Sequence, residues 1–538
     1  MSRRRALPAI VAAGLALTLS LAACSSGGGG GGGGGDDSTT GATGEPQSGG
    51  ALTFAASQSP GCLDPQQLAQ AITMTVGRQI TDSLTVQDPE TGEIKPWLAS
   101  DWEASADGTA FTFTLIEGAT FSDGAPVDAD AVKANFDGIV ELGARSLLGA
   151  TYLDGLVSTE VVDPQTVTFT FDEPNAQFLQ ATASITLGLL SPATLALTPE
   201  ERCAGDLIGS GPFVLADYVQ DESITLAKRE GYDWPNALAE HTGDAYLDTV
   251  VLQLITEPAV RTGSLQSGQV QGIQDVQPVD QDLFDGGEFS LLTQANPGIV
   301  TGFVPNTQRP VMADPAVRDA LQVAINRQEI VDTLYNDRYL PATSVLAGTT
   351  PGYLDLTAEL AYDPETAIEL LDGAGWTEGA DGIRVKDGEP LTLSLLGGGP
   401  ESTLVQQQLA AVGIDLQIRQ VDAAQYVEIQ SSGDYDLAGY NLTRADPDVL
   451  KAIFSTEYTN VPRLEANPLD DVLSEMSVTL DTDARNELAG QAQQTIIGEG
   501  YDIPLVEQFQ VFAFSSDVQG ITLEASTRLS FYDTWLEN

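Results

Sequence analysis

Short stretches of the chain alternate between apolar and polar residues, which is the pattern of half-buried β-strands. Residues 111–115 read Phe-Thr-Phe-Thr-Leu, and residues 167–171 read Val-Thr-Phe-Thr-Phe. Asp-Gly at 107–108 and Glu-Gly at 117–118 flank the first stretch and supply turn glycines. An apolar stretch at residues 51–55 predicts an opening strand. The chain is therefore predicted to contain many short strands.

Helical spacing of apolar residues occurs in three places, each preceded by an aspartate that can cap a helix. The aspartates are Asp128, Asp314 and Asp363, and the apolar positions fall within residues 132–140, 317–334 and 367–374. Proline follows the second and third aspartates at the first helical position, and Gly375 predicts the end of the third helix. Strands and helices together predict a mixed α/β body without internal repeats.

The first residues have the pattern of an export signal. Arginines at positions 3–5 precede a mostly apolar stretch at residues 6–21, which is short for a bilayer span. The stretch ends in Leu-Ala-Ala before Cys24, and this resembles the bacterial lipobox. The resemblance implies that residues 1–23 are a signal peptide and that Cys24 is lipidated. The alternative is an ordinary cleaved signal with an incidental cysteine.

Residues 24–50 predict a flexible tether. Nine consecutive glycines occupy positions 27–35, and polar residues follow up to Gly50. Such a segment cannot bury enough apolar surface to fold. Because an anchored protein needs a tether here, the segment favours the lipoprotein interpretation. The predicted location is the outer face of the cell membrane, in the cell envelope or periplasmic space, with the lipid at Cys24 as the membrane contact.

The size and charge of the body limit its functions. No later apolar segment has transmembrane length, and the body is long enough for two or three lobes. The whole chain has 77 acidic and 23 basic residues and a net charge of −54. This excludes nucleic acid as a partner, because phosphate binding needs clustered lysine and arginine. We interpret the acidity as a solubility feature and predict a monomer.

Beyond Cys24, the chain has two cysteines, Cys62 and Cys203. An even pair in an oxidising compartment predicts a disulfide between them. The alternative is two buried free thiols, which exported proteins usually avoid.

Residue patterns for catalysis and metal binding are scarce. His241 is the one histidine and has no second histidine or cysteine at metal-ligand spacing, so we predict a solvated loop residue. The sequence has no Gly-x-Ser-x-Gly motif, and no lysine follows a glycine in a phosphate-binding loop. Paired carboxylates of the glycosidase type depend on spatial proximity and stay open. The sequence therefore predicts no enzyme, no cofactor and no bound metal.

A series of short motifs occurs in one order along residues 50–538. The motifs include Leu63-Asp64-Pro65, Lys95-Pro96-Trp97-Leu98-Ala99, Phe121-Ser-Asp-Gly-Ala-Pro126, Gly209-Ser-Gly-Pro-Phe213, Ala324-Ile-Asn-Arg-Gln-Glu-Ile330, Ala374-Gly-Trp376, Gly433-Asp-Tyr-Asp436 and Asp446-Pro-Asp448. The ordered series resembles the family 5 extracellular solute-binding proteins of bacterial ABC importers, which include oligopeptide, dipeptide and nickel-chelate binders.

This resemblance implies an α/β, periplasmic-binding-protein-like fold of class II, cluster C type. Two main lobes surround a hinge, and a smaller extra lobe is attached. The implied boundaries are 51–85, 203–295 and 504–538 for lobe I, 86–202 for lobe II, and 296–503 for lobe III. The hinge is expected where the chain crosses near residues 294–300 and 503–508. The ligand would lie between lobes I and III and be enclosed when they close.

The resemblance also implies the partners, which are a peptide or peptide-like ligand and an ABC permease with its ATPase subunits. Dipeptide binders of the family pair the ligand amine with an acid three residues before the Asp-Pro-Asp motif. This chain has Thr443 there, followed by Arg444. Arg444 offers a forked donor for a carboxylate or phosphate, or else forms a structural salt bridge. An anionic, acylated or metal-chelate ligand therefore stays open.

Eight residues are expected at the cleft, from their positions beside the predicted strands and crossovers. They are Gln58, Asn306, Tyr440, Asn441, Arg444, Asp446, Gln508 and Phe509. The aromatic residues Tyr440 and Phe509 fit a core position equally well, and Asp446 also fits the start of a helix. A secreted hydrolase and a sensor on the same scaffold remain the alternative functions.

Overall fold

The computed structural model describes residues 44–537. The predicted signal peptide, Cys24 and residues 24–43 of the predicted tether lie outside the described residues. Residues 44–50 run along the folded body, where the Gly49 N–H donates to the Tyr246 carbonyl at 2.8 Å. Within residues 44–537, no helix combines the length and the apolar character needed to cross a membrane.

Strands and helices alternate along the described chain. The strands are β1 Ala51–Ala56, β2 Thr85–Gln87, β3 Ile94–Pro96, β4 Ala99–Ala104, β5 Ala110–Leu115, β6 Leu156–Asp163, β7 Thr166–Phe171, β8 Phe213–Val219, β9 Ser223–Lys228, β10 Thr249–Leu254, β11 Gly272–Gln274, β12 Phe289–Ala295, β13 Gly298–Pro305, β14 Thr377–Glu378, β15 Arg384–Lys386, β16 Glu389–Pro390, β17 Thr392–Leu396, β18 Asp415–Arg419, β19 Leu437–Thr443, β20 Ile503–Val506, β21 Phe509–Ser515, β22 Val518–Gln519, β23 Thr522–Leu523, β24 Leu529–Ser530 and β25 Trp535–Leu536. The α-helices are α1 Ala71–Ile80, α2 Ala129–Leu142, α3 Leu147–Tyr152, α4 Phe178–Ala181, α5 Pro192–Leu195, α6 Pro199–Cys203, α7 Pro258–Gln266, α8 Pro315–Ala324, α9 Arg327–Leu334, α10 Pro364–Gly373, α11 Glu401–Ala411, α12 Ala423–Ser432, α13 Val449–Phe454, α14 Pro468–Val478 and α15 Thr482–Gly498.

The largest sheet has seven strands in the order β12-β21-β11-β1-β10-β9-β8. Strand β1 runs parallel to β10 and β11, and the other neighbours are antiparallel. The strands come from three separate stretches of chain: β1, then β8 to β12, then β21. Phe54 of β1 packs against the rings of Phe512, Phe514 and Phe531, so the two ends of the described chain share one core.

Two further large sheets lie between these stretches. A five-stranded sheet has the order β18-β17-β19-β13-β20, and a four-stranded antiparallel sheet has the order β4-β5-β7-β6. The predicted strands at 111–115 and 167–171 are confirmed as β5 and β7. They are neighbours, with Phe111 opposite Phe169, and their phenylalanines form the buried core under this sheet.

The predicted aspartate caps are confirmed. The side chains of Asp128, Asp314 and Asp363 accept backbone N–H bonds in the first turns of α2, α8 and α10. The predicted helix over 317–334 is instead two helices, α8 and α9. Asn326 separates them, because its side chain accepts the N–H of Glu329 and caps the second helix.

A disulfide joins Cys62 to Cys203. It connects the segment after β1 to the end of α6, where the chain returns from the four-stranded sheet. The Leu63 N–H donates to the Cys203 carbonyl at 3.0 Å. Beside it, the buried pair Asp64 and Arg202 forms a salt bridge of 2.7 Å. The covalent bond therefore lies within a junction that is also held by polar contacts.

Asp502, just before β20, is a buried carboxylic acid that titrates far from its ordinary range. It is 1 % exposed, and its Oδ2 atom has no hydrogen-bond partner within the described residues. Burial raises the pKa of Asp502 from 3.8 to about 8, although the Ile503 N–H and the charge of Arg327 lower it. The folded protein therefore keeps a proton that the unfolded chain releases above about pH 4. The resulting stabilisation is complete below that pH and is lost as the pH rises toward 8.

We expect Asp502→Asn to remove this dependence. The neutral amide should change the free energy of unfolding little near pH 4 and raise it near pH 8 by several kcal/mol. Urea unfolding at both pH values measures the difference. Asp337→Asn is the control, because Asp337 is exposed. A change of equal size at both pH values would contradict the assigned pKa.

Candidate ligand-binding cleft

The chain crosses between the seven-stranded and five-stranded sheets twice, and the two crossings lie side by side. The first runs from β12 to β13 through Asn296 and Pro297, and the second from β20 to β21 through Glu507 and Gln508. The Asn296 N–H donates to the Gln508 carbonyl at 2.7 Å, and the Thr527 hydroxyl donates to the Asn296 side chain at 2.8 Å. Two short adjacent connections of this kind form a hinge between the sheets.

Two cavities lie near this hinge. The first, which we call the hinge cavity, has a volume of about 680 Å³ and is lined from residues 275–279, 301–303, 398–401, 439–441 and 506–511. The second, which we call the central cavity, has a volume of about 350 Å³ and is lined from residues 69–87, 147–152, 180–184, 440–459 and 524–528. Its lining comes from β2, from helices α3, α4 and α13, from β19 of the five-stranded sheet, and from the turn between β23 and β24. Its volume falls in the usual range for small-ligand sites.

Five of the eight expected residues line these cavities. Tyr440, Asn441, Gln508 and Phe509 line the hinge cavity, and Tyr440 together with Arg444 lines the central cavity. Tyr440 is therefore common to both. Burial raises the pKa of its hydroxyl to about 12, so it acts as a neutral hydrogen-bonding group at physiological pH.

The structure places the other three expected residues elsewhere. Gln58 is exposed after β1 and lines neither cavity. The buried amide of Asn306 donates to the carbonyls of Gly433 and Tyr435 at 3.0 and 3.2 Å, so it holds the chain before β19. Asp446 faces the protein interior instead of the cleft.

Asp446 has two structural partners that account for its position. Its carboxylate accepts hydrogen bonds from both terminal nitrogens of Arg485 at 2.7 and 2.8 Å. It also accepts the N–H of Asp448 at 2.8 Å, in the turn that leads into α13. These contacts fit the alternative interpretation of Asp446, in which it marks the start of a helix.

Arg444 is positioned by the start of the hinge strand. Strands β13 and β19 are antiparallel with Gly298 opposite Thr443, and the Arg444 N–H donates to the Pro297 carbonyl at 3.0 Å. Gly298 has φ of +108°, and a side chain there would meet the Leu442 carbonyl at 2.2 Å. A glycine is therefore needed for β19 to approach the crossover, and this approach carries Arg444 to the cavity.

The C-terminal segment supplies lining residues that the sequence patterns did not reveal. Glu524 and Arg528 line the central cavity from the turn between β23 and β24. Burial raises the pKa of Glu524 against the opposing effect of the cations Arg78 and Arg528, and Glu524 forms a salt bridge with Arg78. Both residues lie at the turn itself, where no helical or strand periodicity marks a position that faces the cavity.

Beside the central cavity, residues from the segments around β2 and β6 contact residues that follow β19 and α13. The Tyr458 hydroxyl donates to the Asp154 carboxylate at 2.9 Å, and the Gln87 amide donates to the Ala445 carbonyl at 3.0 Å. These bonds join segments that have no covalent connection near the cavity. They therefore depend on how closely the lobes approach each other.

His241 is not the solvated residue that the sequence predicts. Its ring stacks between Tyr246 and Tyr532, with ring centres 4.1 and 4.3 Å away. Its Nδ1 lies 2.7 Å from the Asp533 carboxylate. The residue fastens the C-terminal segment to the body. Among residues 44–537, no group of three or more histidine, cysteine or acidic side chains has an arrangement that could hold a metal ion.

Comparisons with known proteins agree on one family. The family model "Bacterial extracellular solute-binding proteins, family 5 Middle" matches residues 93–459. The chain is 29 % identical over 502 residues to the glutathione-binding protein GsiB of Salmonella paratyphi A, which covers 88 % of this chain and 92 % of that protein.

Solved structures share the fold. NikA from Brucella suis, in complex with Fe(III)-EDTA, has a TM-score of 0.80 and 24 % identity, covering 91 % of this chain and all of that one. AgaA from A. tumefaciens R10, in complex with agropinic acid, has a TM-score of 0.75 and 25 % identity, covering 91 % of this chain and 99 % of that one. The predicted fold class, two lobes around a hinge with an extra lobe, is thereby confirmed.

Proposed function

The chain belongs to the family 5 bacterial extracellular solute-binding proteins, the substrate-binding proteins of ABC importers, and on that premise we propose that it captures a peptide or peptide-like ligand. The central cavity binds the ligand, and the lobes close over it. The closed protein delivers the ligand, chemically unchanged, to the permease. Its relatives are solute-binding proteins and not enzymes, which is consistent with capture without chemistry.

One observation carries the proposal. The central cavity is lined by β19 of the five-stranded sheet and by the turn between β23 and β24, which adjoins Leu529 in the core of the seven-stranded sheet. Two short crossings connect these two sheets. A ligand in this cavity contacts both sides of the hinge only when the lobes are close. Binding therefore favours the closed arrangement, and a permease that recognises this arrangement is engaged only by loaded protein.

A peptide-like ligand is supported by the relatives and by the cavity size. GsiB, which aligns along most of the chain, is named as a glutathione-binding protein, and glutathione is a small peptide-like compound. A cavity of about 350 Å³ suits a ligand of that size. Acylated compounds and metal chelates are the competing classes, and a binding panel separates them.

The test is a thermal-shift panel on the purified protein. The panel contains glutathione, dipeptides and tripeptides with free or acetylated amines, oligosaccharides and metal chelates. A ligand at 100 times its Kd stabilises the folded protein by about 2.7 kcal/mol, which is measurable as a shift in Tm. We expect peptide-like compounds to raise the Tm and to be recovered unchanged. A shift with chelates or saccharides alone, or recovery of a cleaved compound, would refute the proposal.

The anchoring part of the proposal concerns Cys24 and the tether. We infer export through the signal peptide and lipidation of Cys24, which place the body outside the membrane. Labelling of cells with an alkyne fatty acid should modify the wild-type protein and not Cys24→Ser. An unlabelled wild-type protein would contradict the anchor and leave the binding function untouched.

A bond across the cleft provides a prediction about closure. Tyr458→Phe removes the hydroxyl that donates to Asp154, and neither residue lines the central cavity. We expect the affinity for the best ligand of the panel to fall about 3- to 10-fold, because one hydrogen bond of the closed form is lost. Isothermal titration measures the change, and Tyr362→Phe, at an exposed tyrosine, is the control. Unchanged affinity in Tyr458→Phe would show that this bond does not depend on closure.

A further inference from the structure

Arg444 is a buried arginine without a polar partner. It is 7 % exposed, and its Nη1 atom has no hydrogen-bond partner. Within residues 44–537 its guanidinium forms neither a hydrogen bond nor a salt bridge, and its carbon lies 5.4 Å from the ring centre of Tyr152. A buried charge without a polar partner is strongly unfavourable. A group from outside the chain is therefore expected to complete this site.

The other buried arginines of the described chain provide an internal comparison. Each of them donates to oxygen atoms of the protein; they are Arg78, Arg202, Arg229, Arg261, Arg318, Arg327 and Arg384. Arg327, for example, donates to the carbonyls of Pro504 and Leu360 at 2.7 and 2.9 Å. Where a buried guanidinium has a structural role, the protein provides its acceptors. Arg444 departs from this rule.

Arg528 places a second unpaired guanidinium in the same cavity. Within the described part of the chain its side chain forms no hydrogen bond and no salt bridge. Burial lowers the pKa of Arg528 from 12.5 to about 10, against the attraction of Glu524 and Asp275. Glu524 is the one acidic residue of the cavity lining, and it already forms a salt bridge with Arg78. Arg528 therefore also lacks a directly paired anion.

The overall charge makes these two positions informative. With 77 acidic and 23 basic residues, the chain has carboxylates to spare for every cation. The central cavity nevertheless holds two unpaired cations and no unpaired carboxylate. Thr443 lines the cavity at the position where an acid would meet a ligand amine. A ligand amine therefore finds no counter-charge here, whereas a ligand carboxylate finds two donors.

We propose that the ligand is an acidic peptide-like compound with two carboxylates, one bound by Arg444 and the other by Arg528. This rests on the proposed function, because it specifies the ligand of the same cavity. A guanidinium binds a carboxylate through two parallel N–H bonds. Arg444 follows β19 of the five-stranded sheet, and Arg528 adjoins β24, whose Leu529 packs in the core of the seven-stranded sheet. The ligand therefore bridges the two sides of the hinge.

The two charges also make closure depend on the ligand. In an empty closed cavity, two guanidinium groups are held in a medium of low dielectric, where like charges repel strongly. In the open form, water screens them. A ligand with two carboxylates removes the repulsion and shifts the equilibrium to the closed form. We therefore expect the affinity to fall as the salt concentration rises.

Glutathione and the dipeptide Glu-Glu are suitable probes, because each carries at least two carboxylates that can be esterified. Isothermal titration of the wild-type protein compares the free acids with their monoesters and fully esterified forms. We expect the fully esterified forms to bind about 100-fold more weakly or worse, since both charge-assisted pairs are lost. Absence of binding by both free acids would overturn the proposal.

Two variants assign the carboxylates. Arg444→Gln and Arg528→Gln should each weaken the binding of the better free acid about 30- to 100-fold. Each variant should bind one monoester as well as the wild type does, because that monoester lacks the matching carboxylate. Arg419→Gln is the control, since Arg419 pairs with Asp434 at the surface. Circular dichroism confirms that each variant is folded.

The outcomes separate this proposal from the proposed function. Neutral peptides that bind the wild type and both variants equally well would overturn the dicarboxylate and leave peptide capture intact. Failure of every peptide probe, with binding of a saccharide, would overturn both. Arginine-dependent binding of phosphorylated compounds alone would overturn the carboxylate class. Unchanged affinity with lower stability in Arg444→Gln would assign Arg444 to neutralising Asp448, whose Oδ1 lacks a hydrogen-bond partner, and would overturn the proposal.

Discussion

Gly209→Ala is expected to destabilise the protein by more than about 4 kcal/mol and to leave little soluble material. A Cβ atom at position 209 would lie 1.8 Å from the carbonyl oxygen of Ile80, the last residue of α1. That oxygen also accepts the N–H of Gly211 at 3.0 Å. The added Cβ atom would clash with main-chain atoms of Ile80, so moving a side chain cannot relieve the clash.

If the loop around position 209 shifted to relieve this clash, other contacts that the loop makes would break. The Ser210 hydroxyl accepts the N–H of Asp82, and the Ser210 carbonyl accepts a bond from Arg229. Urea unfolding and soluble yield measure the effect. The matched control is Gly138→Ala in α2, where no atom lies within 4 Å of the added methyl group. There we expect a gain of about 0.5–1 kcal/mol from helix propensity. A wild-type midpoint for Gly209→Ala would show that the loop can shift freely.

Local patterns predicted the secondary structure where the physical cause is itself local. Strands β5 and β7 follow from alternating phenylalanine and threonine, and Asp363 caps α10 through its own first turn. The split between α8 and α9 was missed because it depends on Asn326, which fits inside a helix pattern but caps a new helix instead. The Gly209 motif was recognisable only as part of a family series. Position 209 requires a glycine because the Ile80 carbonyl approaches it closely, and Ile80 lies far from position 209 in sequence.

The cleft was predicted in part. Tyr440 and Arg444 could be predicted because the family resemblance relates the ligand site to the residues just before the Asp-Pro-Asp motif. These residues lie in β19 or directly after it. Arg528 and Tyr152 come from a turn and a short helix, and only the folded chain brings them to the same cavity. His241 was misjudged for the same reason, since one of its stacking partners, Tyr532, is 291 positions away along the chain.

The misplaced residues share a physical explanation. Asn306 and Asp446 are polar residues at strand ends, and such residues were expected to face a ligand. Strand ends also leave backbone groups and neighbouring charges that need partners inside the protein. Asn306 satisfies two carbonyls, and Asp446 neutralises Arg485. Sequence position cannot distinguish these uses, whereas Arg444 is distinguished by the partners it lacks.

Replacing Cys62 and Cys203 together by alanine is expected to lower the free energy of unfolding by about 3–5 kcal/mol. The two cysteines are 141 positions apart, so the disulfide closes a long loop that contains the entire four-stranded sheet. Closing such a loop restricts the unfolded chain more than the folded one. The Asp64–Arg202 salt bridge holds the same junction in the folded protein. The variant should therefore keep its native structure and its ligand affinity while its unfolding midpoint falls.

Urea unfolding with and without a reducing agent separates this loop effect from other consequences of the substitution. The reduced wild-type protein should unfold like the double variant, and the variant should not respond to the reductant. If the substitution acted by opening a cavity at Cys62 instead, the reduced wild type would stay more stable than the variant, because its thiols still fill the site. A wild-type midpoint for the variant would mean that the long loop is already restricted in the unfolded chain. The polar contacts of Leu63 and Arg202 would then suffice to hold the junction.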